Sequence, residues 1–173
     1  DITTDTWYAQ GYTQSNKTAQ TVDFMIAQTP KSYTAETATE NVSVVFEHAL
    51  SWITLKVKAK DDVAATAFTI NEILINEVNT VADMQATYPY KVWSNWNTPM
   101  AYQVFSGAQD VTTTATDIES TPRGTVVIPQ ATTTVTVNYT QKALAGTPEL
   151  TGQSITISLA LDAELTPWEP GKH

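Results

Sequence analysis

From Val42 onward the chain repeats apolar residues at every second position. Val42, Val44 and Phe46 recur in this way, as do Ile53, Leu55 and Val57 with Thr54, Lys56 and Lys58 between them. Val135, Val137 and Tyr139 alternate with Thr134, Thr136 and Asn138, and Ile155, Ile157, Leu159 and Leu161 with Thr156, Ser158 and Ala160. Successive side chains on a strand point to opposite faces, so this period predicts strands with one dry and one wet face. The apolar sets are expected inward and the Lys56 and Lys58 face outward. A longer apolar run, Phe68–Asn76, breaks its alternation near Glu72 and predicts a bulge there. Shorter strands are expected at Asp23–Ala27, Tyr88–Trp93, Tyr102–Phe105 and Thr125–Ile128. Pro129 stops the last of these, because proline cannot donate to a ladder. A Trp-, Asn- and Pro-rich turn separates Tyr88–Trp93 from Tyr102–Phe105, and Gly107–Thr121 reads as an exposed loop. A short helix at Tyr33–Glu40 is conceivable, but its threonines weaken it.

Residues 1–22 show no period, and Trp7, Tyr8 and Tyr12 are their only aromatic residues. They read as a loosely held polar lead-in, the remnant of a preceding domain, with one β domain over residues 23–173. Eight or so strands separated by turn signals suggest an antiparallel sandwich or barrel. No stretch between strands has the length of a crossover helix, which argues against a parallel α/β sheet. No internal repeat of fixed period is present.

Composition sharpens this picture. Roughly one residue in six is Thr, a β-branched residue suited to a half-exposed pleated surface. Charged residues make up 16%, below the ~25% of an ordinary globular domain, so Thr, Ser, Asn and Gln carry the wet faces. The net charge of −9 disfavours a nucleic-acid partner and an anionic lipid surface, both of which require basic patches. No apolar run reaches the ~18 residues of a membrane span, and no signal segment opens the chain. Cys is absent, which excludes disulfides, thiol catalysis and thiolate metal sites.

Candidate chemistry is sparse. His48 could act as a base with Glu47, but adjacent strand residues face opposite ways. The alternative is a structural histidine hydrogen-bonded at a strand end. With His173 the only other histidine, a zinc site is not expected. Asp61-Asp62 and Asp162 with Glu164 supply too few oxygens at unsuitable spacings for a calcium loop, and they read as solvated turns. Nothing sets the separation of a glycosidase carboxylate pair. Phosphate loops, nucleophile elbows and Ser-x-x-Lys motifs are missing. No catalytic residue, metal or cofactor is assigned, and the chain does not read as an enzyme. Three glycosylation triplets, at Asn16, Asn41 and Asn138, are what so much Thr produces by chance. Tyr88, Tyr90, Trp93 and Trp96 form an aromatic cluster that could stack on sugar rings; the alternative is that Trp93 and one Tyr fill the core while the others line a loop.

Four segments in order resemble the fimbrillin-like family. The strand pair from Val42 to Val57, with Phe46-Glu47-His48-Ala49-Leu50-Ser51, resembles its "F-x-H-A-L-S" segment. Val127-Ile128-Pro129-Gln130, followed by Val135–Tyr139, resembles its "IPQ" strand pair. Trp168-Glu169-Pro170-Gly171-Lys172 resembles its "W-x-P-G-K" turn, and Asp23–Ala27 resembles the segment preceding them. The resemblance implies a transthyretin-like Greek-key sandwich. The protein would be a subunit of a type V-like fimbria, as stalk, anchor or tip, or a related surface adhesin. Such proteins are exported lipoproteins of the outer membrane that polymerise by donating a strand to a neighbouring subunit, and they can meet a host protein or glycan. By this resemblance the family's signal, lipid-bearing Cys, most of a first domain and a final strand lie outside the chain. Arg123 does not match the site at which some pilins are matured by an Arg-specific protease. The resemblance carries no catalytic residues. It implies structural roles for His48, Pro129, Trp168, Pro170 and Gly171, with Trp168 packing over the sandwich.

The competing reading is a carbohydrate-binding module of a surface glycan-capture system, resting on Trp93, Trp96, Tyr88 and Tyr90. A sandwich short of a strand also leaves an open edge, which invites pairing. The Trp7–Tyr8 segment, a neighbouring copy or a second chain is expected to lie along it.

Overall fold

A computed structural model describes residues 6–17, 20–28, 41, 44–60, 67–87, 90–118, 124–131, 134–143, 146–158 and 169–171. Its spine is a hairpin of two long antiparallel strands, β6 (Phe68–Thr87) and β7 (Tyr90–Asp110). One edge of β6 pairs with β7. Its other edge is shared end to end: β10 (Thr134–Gln141) pairs with residues 68–75 and β1 (Thr6–Thr13) with residues 81–87. β11 (Leu150–Ser158) pairs with β10 and, among the described residues, ends that side of the five-stranded sheet.

The second layer is assembled from short pieces. β3 (Val45–His48), β4 (Ser51–Ile53) and β5 (Lys56–Val57) follow one another along the chain. They pair with β2 (Met25–Gln28), β9 (Thr125–Val127) and β8 (Thr116–Asp117), respectively. The protein is thus an all-β sandwich built from antiparallel sheets. Between the layers, Ile70, Ile73, Ile75, Val78, Tyr102 and Val104 pack with Ile118, Val127, Leu55 and Val57. A second cluster joins Leu50, Ile26 and Ile128 to Ala82, Met84 and Trp93.

Two bulges explain how β6 stays buried over its length. Its inward residues are Ile70, then Ile73 and Ile75, then Val78, Thr80, Ala82, Met84 and Ala86. The phase slips once at Asn71-Glu72, where the sequence predicts it, and once at Asn76-Glu77, where Glu77 takes a φ of 57°. An extra residue at each slip returns the apolar set to the same face. The opposite face is a polar lattice: Asn76 donates to Thr134 and Thr136, and Asn138 and Gln103 donate to the two oxygens of Glu72.

Several elements differ from the sequence expectation. The lead-in is not loose over residues 6–17. β1 lies on an edge of β6, and beyond it Gln14 N–H donates to Thr80 O and Gln103 N–H to Asn16 O. Tyr88–Trp93 and Tyr102–Phe105 are not separate strands around a turn, because β7 runs through residues 94–101. Asn and Pro there are absorbed as bulges pinned by side chains, with Asn95 Nδ2 donating to Asp83 Oδ2 and Thr80 Oγ1 to Thr98 O. The Gly107–Thr121 segment holds the end of β7 and all of β8, not a single loop.

The inward phase of β3 is also shifted. Val44 and Phe46 are exposed because the core-side partner of Ile26 is Glu47, whose carboxylate meets Lys91, so Phe46 faces away. Ile155 and Ile157 keep the expected phase opposite Val137 and Val135, yet they stay 48% and 46% exposed, because among the described residues no strand lies beyond β11. Ile53, Leu55, Val57 and Val137 are half-buried against the core, Val135 is buried, and Lys56 and Lys58 are exposed. Leu159, Leu161 and the conceivable helix at 33–40 lie outside the described residues.

Candidate functional site

An open cleft of about 540 Å³ runs between the bulged part of β7, the turn after β9 and the segment 169–170. Trp93 and Trp96 both line it, with Lys91, Val92 and Asn79 on one side and Pro129, Gln130, Ala131, Glu169 and Pro170 on the other.

The two tryptophans do different work. Trp93 is 5% exposed and donates its indole N–H to Ala49 O at 3.0 Å. Its ring meets Tyr12 edge-on at 5.5 Å, and Tyr12 stacks on Phe24 at 4.9 Å. Burial first, then the Asp23 charge, pushes the Tyr12 phenol up to about 12. Trp96 instead stands 48% exposed. Its strand is carried past the cleft by Asn95 (φ 52°) and Thr98 (φ 59°). Asparagine tolerates the left-handed region, but a β-branched residue there is strained. Tyr88 lies outside the described residues, as does the side chain of Tyr90. Of the four aromatics, the structure therefore brings Trp93 and Trp96 together on one cleft.

The opposite wall is locked by an amide acting as a piece of strand. β10 leaves β6 at Ile75 and β1 joins it at Val81, so among the described residues no strand pairs with the edge between them. Gln130, 5% exposed, fills that gap. Its Oε1 accepts from the Asn79 backbone N–H at 2.7 Å and its Nε2 donates to Asn79 O at 3.0 Å. Gln14, 4% exposed, does the same for the end of β9, donating to Val126 O and accepting from Ile128 N–H. Both answer the rule that a buried backbone group needs a partner. Gln14 carries no signal in the sequence, since one polar residue in a polar segment looks like any other.

The remaining motif residues form a second knot. His48 ends β3, half exposed, with Nδ1 2.6 Å from Asp23 Oδ2. Ala49 N–H donates to Phe24 O, and Ser51 Oγ donates to Glu169 O at 2.7 Å. Gly171 N–H donates to Leu50 O. At φ 69°, a Cβ on Gly171 would stand 3.2 Å from His48 O, so the turn fits glycine. Pro129 is buried and Pro170 half-buried beside the cleft, while Trp168 lies outside the described residues.

Elsewhere, Asp83 bridges β1 and β7. It accepts from Asn95 and from Gly11 N–H, and these bonds, in that order, hold its carboxyl below its ordinary value. Among the described residues, no three His, Asp or Glu side chains are grouped to hold a metal. Asp61, Asp62, Asp162 and Glu164 lie outside them. No helix among the described residues is long and apolar enough to cross a membrane.

The site therefore offers one half-exposed indole beside a fixed amide wall, and a knot whose members hold one another. A family model described as fimbrillin-like matches residues 1–173, the whole chain. No curated protein and no solved structure matches it.

Proposed function

Because this chain belongs to the fimbrillin-like family, a structural and adhesin family, we propose that it is a fimbrial subunit joined to its neighbours by strand donation. Family membership itself implies a cell-surface fimbrial location and assembly with other fimbrial subunits. With this reading go export of the precursor and a lipid anchor at the outer membrane.

The observation in favour of strand donation is β11. It pairs on one side with β10 and, among the described residues, carries no strand on the other. On its core-phase face Ile155 and Ile157 stay half exposed. An extended segment laid along this edge would gain backbone hydrogen bonds and cover both isoleucines, the recognised chemistry of strand addition. The competing reading, a module devoted to glycan capture, draws on one exposed ring, and family membership favours the subunit.

Light scattering after size-exclusion chromatography tests the proposal. The protein should associate as concentration rises, and Ile155→Lys with Ile157→Lys should abolish association while leaving the melting temperature close to that of the parent. A protein that stays monomeric at every concentration, with the amides of β11 exchanging freely, would overturn it.

A further inference from the structure

We infer that the cleft beside Trp96 binds a neutral saccharide. The inference does not depend on how the fibre assembles, since every residue it uses belongs to one copy of the chain.

Exposing an indole costs apolar hydration, and the strand carrying it costs more. Thr98 holds a φ of 59° that a β-branched side chain resists, with its N–H donating to Asn97 Oδ1 and its carbonyl accepting from Thr80 Oγ1. Bulges of this kind re-aim side chains next to sites. Here the bulged strand presents Trp96 to a cleft of about 540 Å³, the size range of small-ligand sites. Among the described residues, the Trp96 indole N–H has no hydrogen-bond acceptor. A ring face with a free donor at its edge suits the C–H face and equatorial hydroxyls of a pyranose.

The cleft also carries fixed polarity. Asn79 is clamped through its backbone and its Nδ2 to Gln130, so its carboxamide is held in place at the cleft. Preorganised polar groups keep the ordering cost of binding low.

Charge selects the class of sugar. Lys91, the one cation lining the cleft among the described residues, is ion-paired with Glu47, and the exposed Glu169 adds a carboxylate on a chain of net charge −9. An acidic sugar would meet repulsion, so the ligand is neutral. A proline-rich peptide fits less well. Grooves for such peptides offer several aromatic ridges, whereas Trp93 is buried with its N–H spent on Ala49.

The experiment is a titration of the whole chain, labelled with 5-fluorotryptophan, followed by fluorine NMR and intrinsic fluorescence. The probes are cellotetraose, maltotetraose, mannotetraose and a β-galactotetraose, with sialyllactose and a proline decamer as the acidic and peptide arms. At least one neutral tetrasaccharide should quench fluorescence saturably and shift the Trp96 resonance, assigned from Trp96→Phe, while the Trp52 resonance stays still. Trp96→Ala should weaken binding by at least ~tenfold at an unchanged melting temperature, with Trp96→Phe in between. If Trp96→Ala does not fold, the selective shift of the Trp96 resonance in the parent protein decides the question. Saturation by none of the neutral sugars, by sialyllactose or the proline decamer alone, or binding indifferent to Trp96 would overturn the inference.

Discussion

The two layers of this sandwich solve the same problem by different means. The β6–β7 layer is a continuous ladder of about twenty residues a side, in which backbone pairs with backbone and bulges restore the burial phase. The facing layer is three ribbons, whose registers hold four, three and two pairs. Ribbons that short are marginal alone, so side chains take over the work of the ladder. Gln14 completes β9, Trp93 caps Ala49, and Ser51 and Gly171 tie in the 169–171 turn. A regular layer distributes its stability over many equivalent bonds. A pieced one concentrates it in a few buried groups.

The largest expected effect comes from the heart of the pieced layer. Leu50, 2% exposed between β3 and β4, should cost about 2–5 kcal/mol on conversion to Ala in urea denaturation. Ile155→Ala in the end strand should cost about 1 kcal/mol or less, because half its surface is already wet. Equal costs would erase the contrast. Next is Gln130→Ala, which strips the Asn79 backbone N–H and C=O of their partner and should cost about 1–3 kcal/mol. Hydrogen exchange at Asn79 should rise with it, and an unchanged rate would mean that the amide is not acting as a strand.

A smaller effect depends on pH. The Tyr12 phenol is raised in the folded protein from 10.0 to about 12, so its contribution is whole below pH 10. It is lost as pH rises through about 12, because unfolding releases the proton more readily. Tyr12→Phe should therefore flatten the fall of the melting temperature between pH 10 and 12, and an identical fall in both proteins would reject this origin. The smallest effect belongs to Lys56→Ala. Its pair with Asp117, at 3.5 Å, is exposed on both sides and should change stability by no more than about 0.5 kcal/mol.

What could be read from the sequence was whatever depends on period. The alternation at β10, β4 and β5 and the slip at Glu72 follow from apolar residues choosing a face. β1 escaped because a polar edge strand makes its pairings through the backbone, which carries no signature. β7 escaped because Asn95, Asn97 and Pro99 look like a turn unless a neighbouring strand is there to absorb them. Phe46 misled because the core position in β3 went to Glu47, whose partner Lys91 lies over forty residues away in the chain. At the cleft, a core place for Trp93 could be read from the aromatic cluster, but the bulge at Asn95 that turns Trp96 to the cleft could not. The roles of Gln14 and Gln130 were hidden for a simpler reason: standing in for a strand requires knowing where strands end.

That β1 and β10 share one edge of β6, in line on either side of Gln130, has a mechanical consequence. A pull along either strand reaches β6 as shear, so the bonds of that ladder share the load and yield together. The short ribbons of the facing layer have no such length over which to spread force and would peel pair by pair. A subunit strung in a filament under flow would then extend in stages, the pieced layer loosening while the long hairpin keeps its length, with Gln130 marking the joint between two loads on one spine.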